Sequence, residues 1–193
     1  MDTYHVVLYI HLLALFIGIG AGSVLLACLF QLRAAQTLAD AVPWGMVAGK
    51  TARLFPIAVL GLFATGAYMT TDLWTWNTRW IDVSIAGLVL VALQGPLVAE
   101  RTAKKLERAL HDNGPGPLGE PARRMTRHPG LWVVELTNLG VVLGIVWNMT
   151  QKPSAWSAVA AIAGGYAVGV VLALWFMRAP AAAELAPAVT EPA

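Results

Sequence analysis

Five long apolar segments, separated by shorter polar stretches, set the pattern of the sequence. They cover about residues 4–32, 54–71, 81–99, 129–151 and 155–177. Each is close to the roughly 20 apolar residues that a helix needs to cross the hydrocarbon core of a bilayer. Residues 54–71, 83–99 and 153–177 contain no Asp, Glu, Lys or Arg, and residues 129–151 contain only Glu135. The pattern therefore predicts an all-α membrane protein with five transmembrane helices embedded in a lipid bilayer.

The polar stretches between the segments are expected to be connections. Residues 33–53 form the first connection, in which Pro43-Trp44-Gly45 predicts a turn. Segment three should continue beyond the membrane as a charged helix through Leu110, within a connection that covers residues 100–128. The Ala- and Pro-rich composition of residues 179–193 predicts a disordered tail.

The composition supports a membrane protein and argues against a soluble enzyme. Of the 193 residues, 58% are hydrophobic and 12% are charged, whereas soluble domains carry about 25% charged residues. The five segments leave no room for a soluble catalytic domain, so we expect a single transmembrane domain over residues 1–178. Glycines 18, 20 and 22 lie inside segment one, and this context argues against a nucleotide-binding loop.

The basic residues are unevenly distributed between the two sides of the predicted membrane. Of the 13 Lys and Arg residues, only Arg79 and Lys152 fall on the side of the N-terminus if the five segments alternate in direction. Cytoplasmic connections of membrane proteins are enriched in Lys and Arg. We therefore predict a multi-pass protein of the inner cell membrane, with its N-terminus outside and its C-terminus in the cytoplasm. Because orientation accounts for the basic residues, no nucleic-acid partner is predicted.

Small residues recur at the spacing of one helical turn within three segments. The pairs are Gly18 and Gly22, Gly140 and Gly144, and Gly165 and Gly169. Such spacing is typical of membrane helices whose backbones approach closely. It predicts tight helix packing, and the same glycine-rich faces could join copies of the chain into a homo-oligomer.

His11 is the first candidate functional residue, because ionisable groups inside a bilayer are costly and are often functional. Seven residues make two helical turns, so His11 and Gly18 share the face of segment one that should meet other helices. A neutral imidazole in this position can ligate haem iron. The alternative is an imidazole that only forms a hydrogen bond with a backbone carbonyl or a Thr. His5, nearer the membrane interface, is the second histidine candidate.

A second group of polar residues is expected nearer the cytoplasmic side. Glu135 and Asn138 lie one turn apart on segment four, and Gln94 lies at a comparable depth on segment three. A carboxylate at this depth has to be protonated, paired or hydrated. Arg53, at the cytoplasmic end of segment two, is the expected partner in a structural ion pair. The alternative is a proton-relay role for Glu135.

Several short motifs resemble those of a known membrane family. Tyr9-Ile10-His11-Leu12-Leu13, followed by glycines 18, 20 and 22, resembles the first helix of predicted membrane proteins related to the copper-resistance D (CopD-like) domain. Arg53-Leu54-Phe55-Pro56, leading to Thr65-Gly66, is similar to the next part of that pattern, and the end of segment four resembles its M-x-x-K-P ending. The resemblance covers residues 4–153. It implies a four-helix core bundle to which segment five is added as a C-terminal helix.

A more distant resemblance is to the HemJ-type membrane protoporphyrinogen oxidases. In that family a histidine on the first helix is implicated in haem binding, and His11 matches it. The family's basic residue on a later helix has no counterpart within segment three, because Lys104 and Lys105 lie beyond its end. The resemblance thus implies haem b as a candidate cofactor and a redox-linked role, and it leaves open whether the chain is an enzyme.

The alternative function is that of a non-enzymatic membrane component that handles copper or assists assembly. Copper(I) prefers thioether and imidazole ligands. Met69 and Met149 lie near the outer ends of their segments, on the side of the membrane that holds His5 and His11. These two methionines and His11 are therefore the candidate copper ligands.

Overall fold

The computed structural model describes residues 2–178, and in this part of the chain it is helical with no β-strand, as the sequence predicts. Eight α-helices follow one another within these residues. They are α1 (Thr3–Ala34), α2 (Leu38–Ala52), α3 (Leu54–Leu73), α4 (Arg79–Gln94), α5 (Glu100–His111), α6 (Glu120–Thr126), α7 (Pro129–Gln151) and α8 (Ala155–Arg178). The predicted disordered tail, residues 179–193, lies outside the described residues.

Five helical stretches in residues 2–178 are long and apolar enough to cross a membrane, which confirms the predicted number. They correspond to α1, α2 with α3, α4 with α5, α6 with α7, and α8.

Local chemistry explains the ends of α7. His128 accepts a hydrogen bond from the backbone N–H of Gly130, and Pro129 occupies the first helical position, where a missing N–H costs little. Lys152 ends α7 in the left-handed conformation, with φ of 49°.

The turn predicted at Pro43-Trp44-Gly45 is wrong, because these residues lie within α2. A capping box begins this helix: the N–H of Asp40 donates to the hydroxyl of Thr37, and the N–H of Thr37 donates to the carboxylate of Asp40. Pro43 removes a single internal hydrogen bond from the second turn. The completely buried Ala41 packs with Leu106 and Leu110 of α5, so tertiary contacts stabilise α2 despite its proline.

The helix predicted to continue from segment three is present, but it changes geometry at the membrane end. α4 ends at Gln94, residues Gly95–Ala99 form one π-helical turn, and α5 follows without a break. Pro96 has no N–H for a regular α-helical bond, and its ring crowds the carbonyl four residues earlier, which accounts for the wider turn. Lys104 Nζ lies 2.6 Å from Glu100 Oε1 on the surface of α5, as the i,i+4 charge pattern predicts.

Helix α7 is the central helix of the bundle and packs against α1, α4 and α8. Its closest neighbour is α8, because Gly140 lies directly against Gly165, and a Cβ on either glycine would overlap the other's carbonyl. The tight packing predicted from the glycines is thus confirmed. It also means that α8, expected as an addition to a four-helix core, is packed along the central helix. Assembly of several copies through the glycine faces stays a prediction.

The cytoplasmic connections predicted from the sequence fold into an ordered unit, which we call the cap. The cap consists of the last turn of α1 with α2, α5, α6 and the loop at residues 112–119. Leu32 and Leu118 belong to its apolar cluster together with the residues that α2, α5 and α6 contribute. Two backbone hydrogen bonds join its loops, from Leu38 N to Gly116 O and from Leu118 N to Gln36 O, both at 2.9 Å. Arg33 also ties α1 to the end of α8, donating to the carbonyls of Phe176 (2.8 Å) and Met177 (3.0 Å).

Candidate functional site

His11 lies inside the helix bundle, between α1 and α3, with 4% of its surface exposed. Its ring nitrogen Nδ1 is 2.8 Å from the hydroxyl oxygen of Thr65. The same hydroxyl lies 2.5 Å from the carbonyl of Gly61, which can only accept a hydrogen bond. Because the single Thr65 proton is directed to Gly61, Thr65 Oγ1 has to accept from the imidazole, and Nδ1 has to carry the proton.

This arrangement leaves the other ring nitrogen of His11, Nε2, with a free lone pair. The ring also forms a hydrogen bond with the backbone carbonyl of Leu62. A neutral imidazole carries a single proton, so with that proton on Nδ1 the Nε2 atom has none to donate. A histidine that binds a metal commonly donates its second N–H to a fixed oxygen acceptor, which sets the tautomer and the ring orientation. The His11–Thr65 pair has this geometry. The contact also agrees with the alternative prediction from the sequence, in which the imidazole forms a hydrogen bond with a Thr.

Small residues bring α1 and α3 close enough for this contact. A Cβ on Gly66 would lie 3.5 Å from His11 Cε1, so the imidazole rests against the backbone of α3. One turn further along, a Cβ on Gly61 would lie 3.1 Å from the Cβ of Ala14, and Gly18 faces Ala58 in the same way at 3.5 Å. We call this contact the α1–α3 seam. It fixes the depth and the direction of the His11 ring.

The ligand set at His11 is small. Residues 2–178 contain no group of three or more His, Cys, Asp and Glu side chains that could hold a metal ion. A bare metal ion needs several protein ligands, whereas haem iron is held by its porphyrin and requires as little as one axial imidazole. The chemistry of a single histidine with a fixed tautomer therefore fits haem better than it fits an isolated ion.

The other candidate ligands lie on α1, α3 and α7. His5 lies in the first turn of α1 with 71% of its side chain exposed, 3.6 Å from the carboxylate of Asp2. Met69 lies one turn after Thr65 on α3. Met149 packs against the apolar cluster of α4 and α7 that includes Val141 and Ile145. Met149 and His11 therefore belong to different helix interfaces, and a copper site that includes the methionines stays a prediction.

The predicted polar cluster near the cytoplasmic side is partly formed. Gln94 Nε2 donates to Asn138 Oδ1 at 3.0 Å, and the hydroxyl of Thr137 lies 3.2 Å from Gln94 Oε1. The three side chains join α4 to α7 at the last residue of α4, directly before the π-helical turn. Glu135, expected in the same cluster, instead faces α1.

The ion pair expected between Glu135 and Arg53 is absent from the described residues, so this prediction is wrong. The ion pairs found in residues 2–178 join other side chains, near the N-terminus and on α5 and α6. Arg53 is exposed at the junction of α2 and α3. Residues 38–52 form a helix where a connection with a turn at Pro43-Trp44-Gly45 was predicted, and this helix sets the position of Arg53.

Sequence reasoning placed two residues of the site, Thr65 and Gly66, in a family motif but did not connect them with His11. Their signal was present, since a hydroxyl followed by a glycine interrupts an otherwise apolar segment. Thr137 was also missed, although it is polar and adjacent to Asn138. A threonine can satisfy its hydroxyl on its own helix, as Thr70 does with the carbonyl of Gly66. A threonine in a membrane segment therefore does not by itself indicate a partner.

Comparison of the chain with family models, with curated proteins and with solved structures gives no match. The resemblance to CopD-like and HemJ-type membrane proteins therefore stays a prediction that rests on the short motifs.

Proposed function

We propose that this chain is a haem-binding, redox-linked protein of the cell membrane, in which Nε2 of His11 is an axial ligand of haem b. The observation that carries the proposal is the hydrogen-bond pattern at His11. Thr65 accepts from Nδ1 because its own proton is directed to Gly61, and Nε2 is left unprotonated with a lone pair that can bind iron. When bound, haem supplies one-electron chemistry. The chain's contribution is to hold the imidazole neutral, correctly turned and shielded from water.

The proposal includes an orientation in the membrane. Arg79 begins α4 and Lys152 follows α7, at the end of the bundle opposite the cap. The remaining basic residues lie in the cap or at the adjoining helix ends, which supports a cytoplasmic cap and an external N-terminus. His11 then lies in the outer half of the membrane, about 12 Å along α1 from its first residue at 1.5 Å per residue.

The test is the visible spectrum of the protein purified after expression with haem in excess. The wild-type protein should show a Soret band, and His11→Ala should lose it because the iron loses its protein ligand. His5→Ala is the matched control, since His5 is exposed and about 9 Å nearer the end of α1. This variant should keep the wild-type spectrum.

A wild-type protein that never carries haem would overturn the proposal. If such a colourless protein instead bound copper(I) through His11, the function would be that of the alternative, a non-enzymatic copper-handling component.

A further inference from the structure

Glu135 is an acidic side chain placed within a membrane-spanning helix. It lies six residues after the start of α7, roughly 9 Å along the helix axis. Its carboxylate oxygen Oε1 approaches the backbone of α1, because a Cβ on Gly22 would lie 2.9 Å from it. The same hypothetical Cβ on Gly22 would lie 4.0 Å from Cζ of the Phe55 ring, which comes from α3. The carboxyl group thus occupies the place where α1, α3 and α7 meet.

The carboxyl group of Glu135 has no hydrogen-bond or ion-pair partner among residues 2–178. The neighbours identified on the side of α1 are the backbone of Gly22 and the ring of Phe55. The helices around it carry these titratable and charged groups: Tyr4, His5, Tyr9, His11, Cys28 and Arg33 on α1, Arg53, Tyr68 and Asp72 at the start of α3 or within it, Arg79 and Asp82 on α4, His128 at the start of α7, Tyr166 and Arg178 on α8, and the charged and titratable residues of α5.

None of these charged groups neutralises Glu135. The guanidinium of Arg33 donates to the carbonyls at the end of α8. Arg53 is exposed, and His128 accepts from the backbone of Gly130. An ionised carboxylate in such an apolar place would be strongly unfavourable, and a carboxyl group in this situation takes up a proton instead.

We propose that Glu135 is a reversible proton-binding site, with its carboxyl group protonated at neutral pH. Gly22 leaves room for the carboxyl group in its present position, because a Cβ there would require the carboxyl group to shift. Gly22 lies on the same face of α1 as His11, three helical turns away, so the proton site and the imidazole lie along one surface of α1. The proposal does not depend on haem binding at His11.

The chemical test uses dicyclohexylcarbodiimide, an apolar reagent that modifies protonated carboxyl groups in membranes. The carboxyl proton moves to a nitrogen of the reagent, and the carboxyl oxygen bonds to its central carbon. The resulting O-acylisourea rearranges to a stable N-acylurea where water is excluded. Peptide mass mapping of the full chain in liposomes should find this adduct on Glu135. The extent of labelling should fall as the pH is raised from neutral to alkaline.

Exposed carboxylates and paired glycine variants provide the controls. Glu107 and Glu120 are exposed, so they should react with a water-soluble carbodiimide plus an amine and not with the apolar reagent. Glu135→Gln should abolish the membrane adduct completely. Gly22→Ala should change the labelling rate by displacing the carboxyl group, whereas Gly20→Ala should not, because the Cα of Gly20 faces open space.

An infrared spectrum makes the result independent of reagent access. At neutral pH the wild-type protein should show the carbonyl stretch of a protonated carboxyl, and Glu135→Gln should lose this band. Labelling that does not vary with pH, or an infrared band that Glu135→Gln retains, would overturn the proposal. Glu135→Gln should also keep any Soret band, so failure of the haem proposal and failure of the proton site are distinguishable.

Discussion

At the scale of single residues, the hydroxyl of Thr65 determines what His11 can do. An imidazole in an apolar helix interface could present either nitrogen to a ligand. The chain of hydrogen bonds from His11 to Thr65 to the carbonyl of Gly61 has a single direction, because a carbonyl only accepts. This chain of hydrogen bonds leaves the lone pair on Nε2. It also fixes the orientation of the ring through a contact between α1 and α3.

Replacement of Thr65 tests this orienting role. Thr65→Val keeps the shape of the side chain but removes the acceptor, so the haem affinity should fall by roughly 10- to 100-fold, the usual effect of losing a metal ligand's hydrogen-bond partner. Thr65→Ser keeps the hydroxyl and should retain most of the affinity. Titration of the purified apoprotein with haem, followed by the Soret band, measures both variants. Equal affinities for Thr65→Val and the wild-type protein would show that Thr65 does not orient the ligand.

The amino-acid sequence predicted the candidate site only in part. Helical periodicity was sufficient to turn His11 inward, because its seven-residue distance from Gly18 is a local property. The partner of His11 lies 54 positions away in the sequence. Its identity depends on the axial position of α3 relative to α1. The same limitation applies to Glu135, whose neighbour Gly22 comes from a helix that no periodicity within α7 could select.

At the scale of helices, the contact between α7 and α8 is the closest in the bundle. Gly140 and Gly165 meet backbone to backbone, and a Cβ on Gly144 would lie 2.8 Å from the carbonyl of Ala161. In a membrane, where burial of apolar surface gives no preference between lipid and protein, such contacts hold helices together by dispersion and close fit. The glycines are therefore structural determinants of the pair.

The prediction for this pair compares two glycines on different surfaces. Gly165→Val would place a side chain against the Gly140 carbonyl and force α8 away from α7. The variant should lower the free energy of unfolding by about 1–3 kcal/mol. Gly164→Val, on the neighbouring residue, points into open space and should change the stability little. Unfolding in mixed detergent micelles, followed by circular dichroism, measures the difference. Similar stabilities for the two variants would contradict the observed packing of α8.

Helix boundaries were predictable wherever composition changed abruptly. The predicted residues 129–151 coincide with α7, because His128-Pro129 begins the helix and Lys152-Pro153 ends it. The prediction failed for α2, where Pro43-Trp44-Gly45 has the composition of a turn. Burial of Ala41 and the capping box at Thr37 outweigh that local preference, and only the capping box is visible in the sequence.

At the scale of the whole molecule, the two ends of the bundle differ in charge and in the residues that they carry. One end carries the cap, with its own apolar cluster and most of the basic residues. At the opposite end, Trp74 and Trp80 pack edge to face, and Lys152 lies 4.7 Å above the ring of Trp74. Tryptophans favour the headgroup level of a bilayer. The asymmetry supports the proposed orientation.

Cysteine labelling in intact cells tests this orientation. Asn77, in the loop after α3, and Asp112, at the end of α5, are both exposed. An impermeant thiol reagent should label Asn77→Cys and leave Asp112→Cys unreacted until the cells are opened. The native Cys28 is buried and should give a low background. Labelling of Asp112→Cys alone in intact cells would reverse the proposed orientation.

The packing of α8 on α7 has a consequence for how the protein is made. Only residues 152–154 separate the two helices, so both can leave the insertion machinery as one hairpin. Until α8 has been synthesised, the glycine surface of α7 has no cover and the carbonyls that Arg33 binds do not yet exist. The last helix thus completes contacts begun by the first. We expect a chain terminated prematurely after α7 to be recognised as unfinished and degraded, even though four of its five spans are intact.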